Sequence, residues 1–171
     1  ETGVGIITGG AEGVDGAANK GALDASGTTI AVLGSGVDVL YPKCNAKLFN
    51  EILENNGAII SEFHCSTPPE GRNFPKRNRI IAAMSANLTV VRAGARSGSL
   101  ITAHQALDMG KTVFSVPGNI DNRLSMGTNM LLTEGAEPVL SSINIIDDLM
   151  NQNPDFFTFR GEEINETEEI I

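Results

Sequence analysis

From Gly5 to Met150, short apolar runs rich in β-branched residues alternate with amphipathic segments of about ten residues, which is the repeating βα pattern. The strand-like runs are Gly5–Thr8, Thr29–Leu33, Ala58–Ser61, Leu88–Val91, Thr112–Val116 and Glu137–Leu140. Helical periodicity covers Val14–Ala25, Asn45–Asn55, Asn78–Ser85, Ser99–Met109, Thr128–Glu134 and Ile143–Met150. Because the strand runs are apolar on both faces, they suit a parallel sheet covered on two sides. Gly27, Gly57, Gly110 and Gly135 stand where helices end and the next strand begins. The spacing therefore predicts an α/β chain with a Rossmann-like, doubly wound, mostly parallel sheet and helices on both faces. In such sheets ligands sit at the carboxyl ends of the strands. Four Gly/Ser/Asn-rich loops, beginning at Gly9, Gly34, Ala93 and Pro117, are expected to converge there.

A chain of 171 residues with 41% hydrophobic residues and a mean hydropathy of -0.01 is long enough for one domain with a real core. Disorder and a membrane-embedded class are excluded for its bulk. No basic-then-apolar leader is readable at Glu1, so the expected location is cytosolic. Cys44 and Cys65 lack metal-type spacing and are expected as reduced thiols.

The net charge of -9 would ordinarily count against nucleic acid, but the charge is segregated. Eight acidic residues against Arg160 alone give the segment from Asp147 onward a charge of -7. Gly71–Leu107 holds six basic residues (Arg72, Lys76, Arg77, Arg79, Arg92, Arg96) and no acid. The expected organisation is a Rossmann-like domain over 1–150, then an acidic linker or tail over 151–171. The alternative for the tail is a docked extension, since Phe156, Phe157 and Phe159 favour burial.

Gly34-Ser35-Gly36 follows a strand, but Val39 replaces the third glycine of a dinucleotide fingerprint. Gly110-Lys111-Thr112 leads from helix to strand, the reverse of a phosphate-binding loop. His64 and Cys65 are backbone neighbours that point apart in an extended segment, so adjacency does not make them a catalytic pair. Asp15 and Asp38 each follow a glycine loop, which suits helix capping, with a carboxylate pair as the alternative. Arg77-Asn78-Arg79 directly precedes an apolar helical run, placing cations at a helix start, where the macrodipole disfavours them. Together with Ser97-Gly98-Ser99 at the next helix start, they point to an anion such as phosphate. Phe74, the one aromatic of the basic island, is either a base-stacking face or a core plug.

These residues resemble a known family. The blocks Thr29–Asp38, Tyr41-Pro42, Ile60–Phe63, Phe74-Pro75-Lys76-Arg77-Asn78-Arg79-Ile80-Ile81-Ala82, Arg96–Ala103 and Val113–Asn119, in this order, are similar to the DNA-processing protein A (DprA, or Smf) family. The likeness spans about Ile7 to Leu149. It implies an extended Rossmann domain that binds single-stranded DNA, forms a homodimer, and helps load the RecA recombinase during natural transformation. Carried over by motif, the DNA-binding residues are Phe74, Lys76, Arg77, Asn78, Arg79, Ser97, Gly98 and Ser99. Phosphate contact falls to Lys76, Arg77 and Arg79, donor groups to Ser97–Ser99, and stacking to Phe74. The family's first strand would precede Glu1. Asn19 replaces a usual histidine, and Arg92 stands where a glutamate is usual.

The expected function is therefore non-enzymatic, with no cofactor or metal, no membrane, and single-stranded DNA and RecA as partners. The rival is a nucleotide-hydrolysing enzyme of the lysine-decarboxylase-like (LOG) type, whose PGGxGTxxE motif Gly9-Gly10-Ala11-Glu12-Gly13 does not reproduce. A further alternative is an interaction scaffold for which DNA is irrelevant.

Overall fold

A computed structural model describes residues 3–152. The strands are β1 (Ile6–Thr8), β2 (Thr29–Val32), β3 (Ala58–Ile60), β4 (Leu88–Val90), β5 (Val113–Ser115) and β6 (Glu137–Pro138). The helices are α1 (Val14–Asp24), α2 (Ala46–Glu54), α3 (Asn73–Met84), α4 (Gly98–Asp108), α5 (Met126–Thr133) and α6 (Ser142–Gln152). Each element expected from the sequence is present, with ends shifted by a few residues, as fraying ends usually are.

All pairings are parallel, but the strands form two three-stranded sheets, β1-β2-β3 and β4-β5-β6, rather than one continuous sheet. Within each sheet the strands follow chain order and pair in parallel, so every connection inside a half is a βαβ crossover, as in a Rossmann-like fold. Each half has its own core. Ala31, Leu33, Phe49 and Ile52 fill the first. Ala82, Val90, Leu100, Ala103, Ala106, Val113 and Leu131 belong to the second. Helix α3 belongs to both halves: it packs against α4 and also touches β1 and β2.

The largest departure from expectation is the start of α3, at Asn73 rather than Asn78. Pro75 is tolerated because it is the third helical residue, where its missing N–H has no intrahelical acceptor to lose. Arg77 and Arg79 consequently lie in the second turn, away from the helix start where the sequence placed them. At the other end, α6 runs two residues beyond the expected domain edge, to Gln152. Its Asp148 takes hydrogen bonds from Asn87 Nδ2 (3.3 Å) and Thr112 Oγ1 (3.4 Å), docking α6 near the starts of β4 and β5. The expected acidic tail from Asn153 onward lies outside the described residues.

Asn19, at the position of the family's histidine, is fully buried, with Oδ1 3.0 Å from the hydroxyls of both Thr8 and Thr29. It ties α1 to β1 and β2 and takes no part in an open site. Phe49, buried without exposed surface, anchors the first core. Replacing Phe49 by Ala should lower stability by about 3–5 kcal/mol through lost burial and an unfilled cavity, read as a shifted urea midpoint. A change below about 1 kcal/mol would mean that this half contributes little to cooperative folding.

Candidate nucleic-acid interface

The Phe74–Arg79 segment is divided by helical periodicity between inward and outward residues. Arg77 is only 6% exposed, and its Nη1 donates to Gly9 O at 2.7 Å and to Val32 O. Its Nε donates to Asn78 Oδ1 at 3.2 Å. Asn78 is also buried, and its Nδ2 donates to Gly98 O at 3.4 Å, at the start of α4. The pair thus reaches from the loops of the first half-sheet to the Ser97-Gly98-Ser99 loop of the second. Burial lowers the Arg77 pKa, and the charge of Asp15 opposes that shift.

Arg77, expected from its motif as a phosphate contact, thus gives its Nε and Nη1 to internal acceptors. Its Nη1 is spent on backbone carbonyls, and the residue serves as a strut. The approach is so close that a Cβ at Gly9 would lie 2.6 Å from Arg77 Nη2. At Gly34 a Cβ would meet Phe74 Cδ1 at 2.7 Å, so this glycine makes room for an aromatic ring.

Phe74 is half-buried and combines both roles considered for it. One part of the ring packs over Gly34, with the Arg77 guanidinium carbon 5.8 Å from the ring centroid. The ring also lines an open cleft of about 220 Å³ with Gly9, Ala11, Glu12, Tyr41, Pro42 and Arg77. Tyr41 faces Phe74 at 5.9 Å between centroids, tilted by 41°. The sequence reading missed Tyr41 as a site residue, although it is the single tyrosine and stands beside Pro42.

A second cleft, of about 340 Å³, is lined by Glu62, Phe63, Pro75, Lys76, Arg79 and Gln105. Lys76 and Arg79 are exposed, and Arg79 forms an ion pair with Glu62. Arg72 pairs with Glu70 at 2.6 Å. Ser97 caps α4 by accepting from Ser99 N at 3.4 Å, and the hydroxyls of Ser97 and Ser99 lie 2.7 Å apart.

The glycine loop after β1 is already satisfied internally. Gly9 N and Ala11 N donate to Asp15 Oδ2 at 3.0 and 3.1 Å, and Gly10 N donates to Thr8 Oγ1 at 3.0 Å. Asn45 Nδ2 donates to the carbonyls of Gly10 and Ala11, both at 3.0 Å. Asp15 therefore clamps a loop, and Asp38 clamps another, accepting from Ser66 N at 2.7 Å and Ser66 Oγ at 3.2 Å. The two carboxylates do not form a pair. His64 Nδ1 lies 2.8 Å from Cys65 O, with no thiol contact, and both cysteines are free and exposed. His104 pairs with Glu134 at 2.9 Å.

Comparison with known proteins follows the same outline. A family model described as DNA recombination-mediator protein A matches residues 1–150. The chain is 46% identical to Protein Smf of Escherichia coli K12 over 147 residues, covering 86% of this chain and 39% of that protein. It is 43% identical to DNA processing protein DprA of Streptococcus pneumoniae R6 over 141 residues, covering 82% and 50%. The crystal structure of the S. pneumoniae protein superposes with a TM-score of 0.79 at 41% identity, over 85% of this chain and 51% of that one. DNA processing protein A from Helicobacter pylori, whose structure describes a single-stranded DNA binding mode, gives 0.77 at 34% identity, over 86% and 66%. The chain thus spans at most about half the length of these curated relatives.

Two outcomes follow from this geometry. Arg77→Ala should cost about 1.5–3 kcal/mol in urea unfolding, because the carbonyls of Gly9 and Val32 lose a charged donor, whereas Lys76→Ala should stay within about 0.5 kcal/mol. Equal effects would remove the distinction between strut and surface cation. The Asp38 pKa is lowered chiefly by the Ser66 backbone N–H, with desolvation opposing. Its clamp is therefore held above the ordinary value of 3.8 and released as pH falls through the lower folded value. The Ser66 amide resonance should move only below that ordinary value in an NMR titration.

Proposed function

Since the chain belongs to the DNA recombination-mediator protein A family, we propose that it is a non-enzymatic, cytosolic module that binds single-stranded DNA across the carboxyl edges of its two half-sheets. The observation that carries this reading is the division of α3: Arg77 and Asn78 are mostly buried and brace the loops, while Lys76 and Arg79 line one open cleft and Phe74, beside Arg77, lines the other. Phe74, with Tyr41 opposite, offers a stacking face to a base, which is sequence-tolerant because every base has a π-face. Lys76 and Arg79 neutralise phosphates. The pair between Arg79 and Glu62 is exposed, so its small stabilisation of about 0–1 kcal/mol is readily exchanged for a phosphate. Ser97, Gly98 and Ser99, positioned by Asn78, supply hydroxyl and backbone donors at the start of α4. Arg77 and Asn78 act by positioning. As in the wider reading of the family, the protein works as a homodimer in natural transformation and helps load RecA on the bound strand.

The hydrolase alternative needs amides free to hold a small nucleotide's phosphate. The first glycine loop, where such a motif would stand, has three of its amides engaged by Asp15 and Thr8. Release of free base from a nucleoside monophosphate would restore that alternative.

Fluorescence anisotropy with a labelled short oligothymidylate tests the proposal. With two open cations in contact, log affinity should fall against log salt with a slope of about -1.4, at about -0.7 per phosphate. Phe74→Ala should weaken binding by roughly 5- to 150-fold, the equivalent of about 1–3 kcal/mol per stacked base. Salt-independent binding, or unchanged affinity in both Phe74→Ala and Lys76→Ala, would reject the site.

A further inference from the structure

A second group of cations lies on the loops that follow β4 and β5, outside both clefts. Arg92 precedes, and Arg96 lies within, a turn closed by Ser97 N donating to Gly94 O at 3.0 Å. Arg123 lies on the loop after β5. These loops are laced together: Ala93 N donates to Leu124 O at 2.9 Å, and Gly127 N donates to Ala93 O at 2.8 Å. A Cβ on Gly94 would approach Arg123 O to 3.4 Å. Arg92 and Arg123 are therefore each one residue from a shared hydrogen bond.

All three arginines are exposed, and among the described residues none forms an ion pair. Asp121 shares the loop with Arg123 without pairing to it. Three like charges carried on two joined loops without an acidic partner add self-repulsion to the folded state. Folding alone gives no reason for it, and an anionic partner does.

The same loops also carry exposed apolar side chains. Ile120 is 85% exposed, and Val91 and Leu124 are exposed beside Arg92 and Arg123. Free phosphate would use the charges and leave these side chains in water. A DNA duplex hides its base faces in the stack. An unpaired strand presents an anionic backbone together with apolar base faces, and so matches both features.

The patch is also continuous with the site already described. The loop bearing Arg92 and Arg96 runs into Ser97 and Gly98, and Gly98 O is held by Asn78 of α3. We propose that Arg92, Arg96 and Arg123 form a second phosphate track, which holds the continuation of the strand seated at Phe74 and Lys76. This inference rests on the single-stranded DNA reading and extends it to the length of strand engaged.

The test is anisotropy with the full chain and two labelled oligothymidylates, of roughly four and roughly twelve nucleotides, within the range of known single-strand site sizes. The short one should give a salt slope of about -1.4, and the long one about -3.5, since three further phosphates add about -0.7 each. The variant Arg92→Ala/Arg96→Ala/Arg123→Ala should bind the short strand as before, while its slope on the long strand drops to about -1.4. Replacing the same three residues by Lys should keep the steeper slope, with a thermal melt followed by circular dichroism confirming that both variants are folded.

An alanine variant that binds the long strand with unchanged affinity and slope overturns the track and leaves the Phe74 site standing. Failure of the unmodified chain to bind either strand overturns the DNA reading itself. Equal binding of a duplex of the longer length also overturns the proposal, because base faces would then play no part. Loss of self-association in the alanine variant, with DNA binding intact, would reassign the patch to a protein partner.

Discussion

The Arg77 guanidinium is the interaction on which the arrangement of this molecule depends. Among the described residues the two half-sheets share no strand pairing, and their apolar cores are separate clusters. Besides the packing of α3, a polar chain joins them, running from Gly9 O and Val32 O through Arg77 and Asn78 to Gly98 O. A mostly buried cation needs acceptors for its donors, and here two carbonyls and an amide oxygen take Nη1 and Nε without a carboxylate in direct contact. Such a bond set is directional, whereas apolar packing is not. It therefore specifies how the loops of one half face those of the other.

That strut also explains the composition of the neighbouring loops. Gly9 has no side chain because the guanidinium occupies the space a Cβ would need, and Gly34 has none because the Phe74 ring does. With Arg77 and Asn78 turned inward, helical periodicity turns Lys76 and Arg79 outward. The same six-residue motif thus builds the scaffold and presents the binding groups. A conservative change within it would have unequal consequences at adjacent positions.

The electrostatics are organised by segregation more than by net charge. A chain of -9 can still present a positive face when its acids are gathered elsewhere in the sequence. Within the basic island, Arg72 and Arg79 are paired, Arg77 is buried, and Lys76, Arg92 and Arg96 have no acidic partner among the described residues. Arg123, outside the island in sequence, joins the last two through the hydrogen bonds between the loops after β4 and β5.

The sequence by itself determined the βα order, the approximate place of every strand and helix, the parallel sense of the sheets and the loops that carry the site. Those features follow from local periodicity and from glycines at helix ends, which short windows of sequence express. It also singled out the Phe74–Arg79 and Arg96–Ala103 blocks through their order and composition. Tertiary structure alone decided that Arg77 and Asn78 are struts, that Asp15 and Asp38 clamp separate loops, that Tyr41 faces Phe74, and that the loop bearing Arg123 is hydrogen-bonded to the loop bearing Arg92. Each of these depends on contacts between residues distant in the chain, and the sequence of an arginine carries no mark of whether a carbonyl or a phosphate will meet it. The early start of α3 belongs to the same class. Local periodicity begins only at Asn78, yet Pro75 sits in the first helical turn, where a proline loses no hydrogen bond.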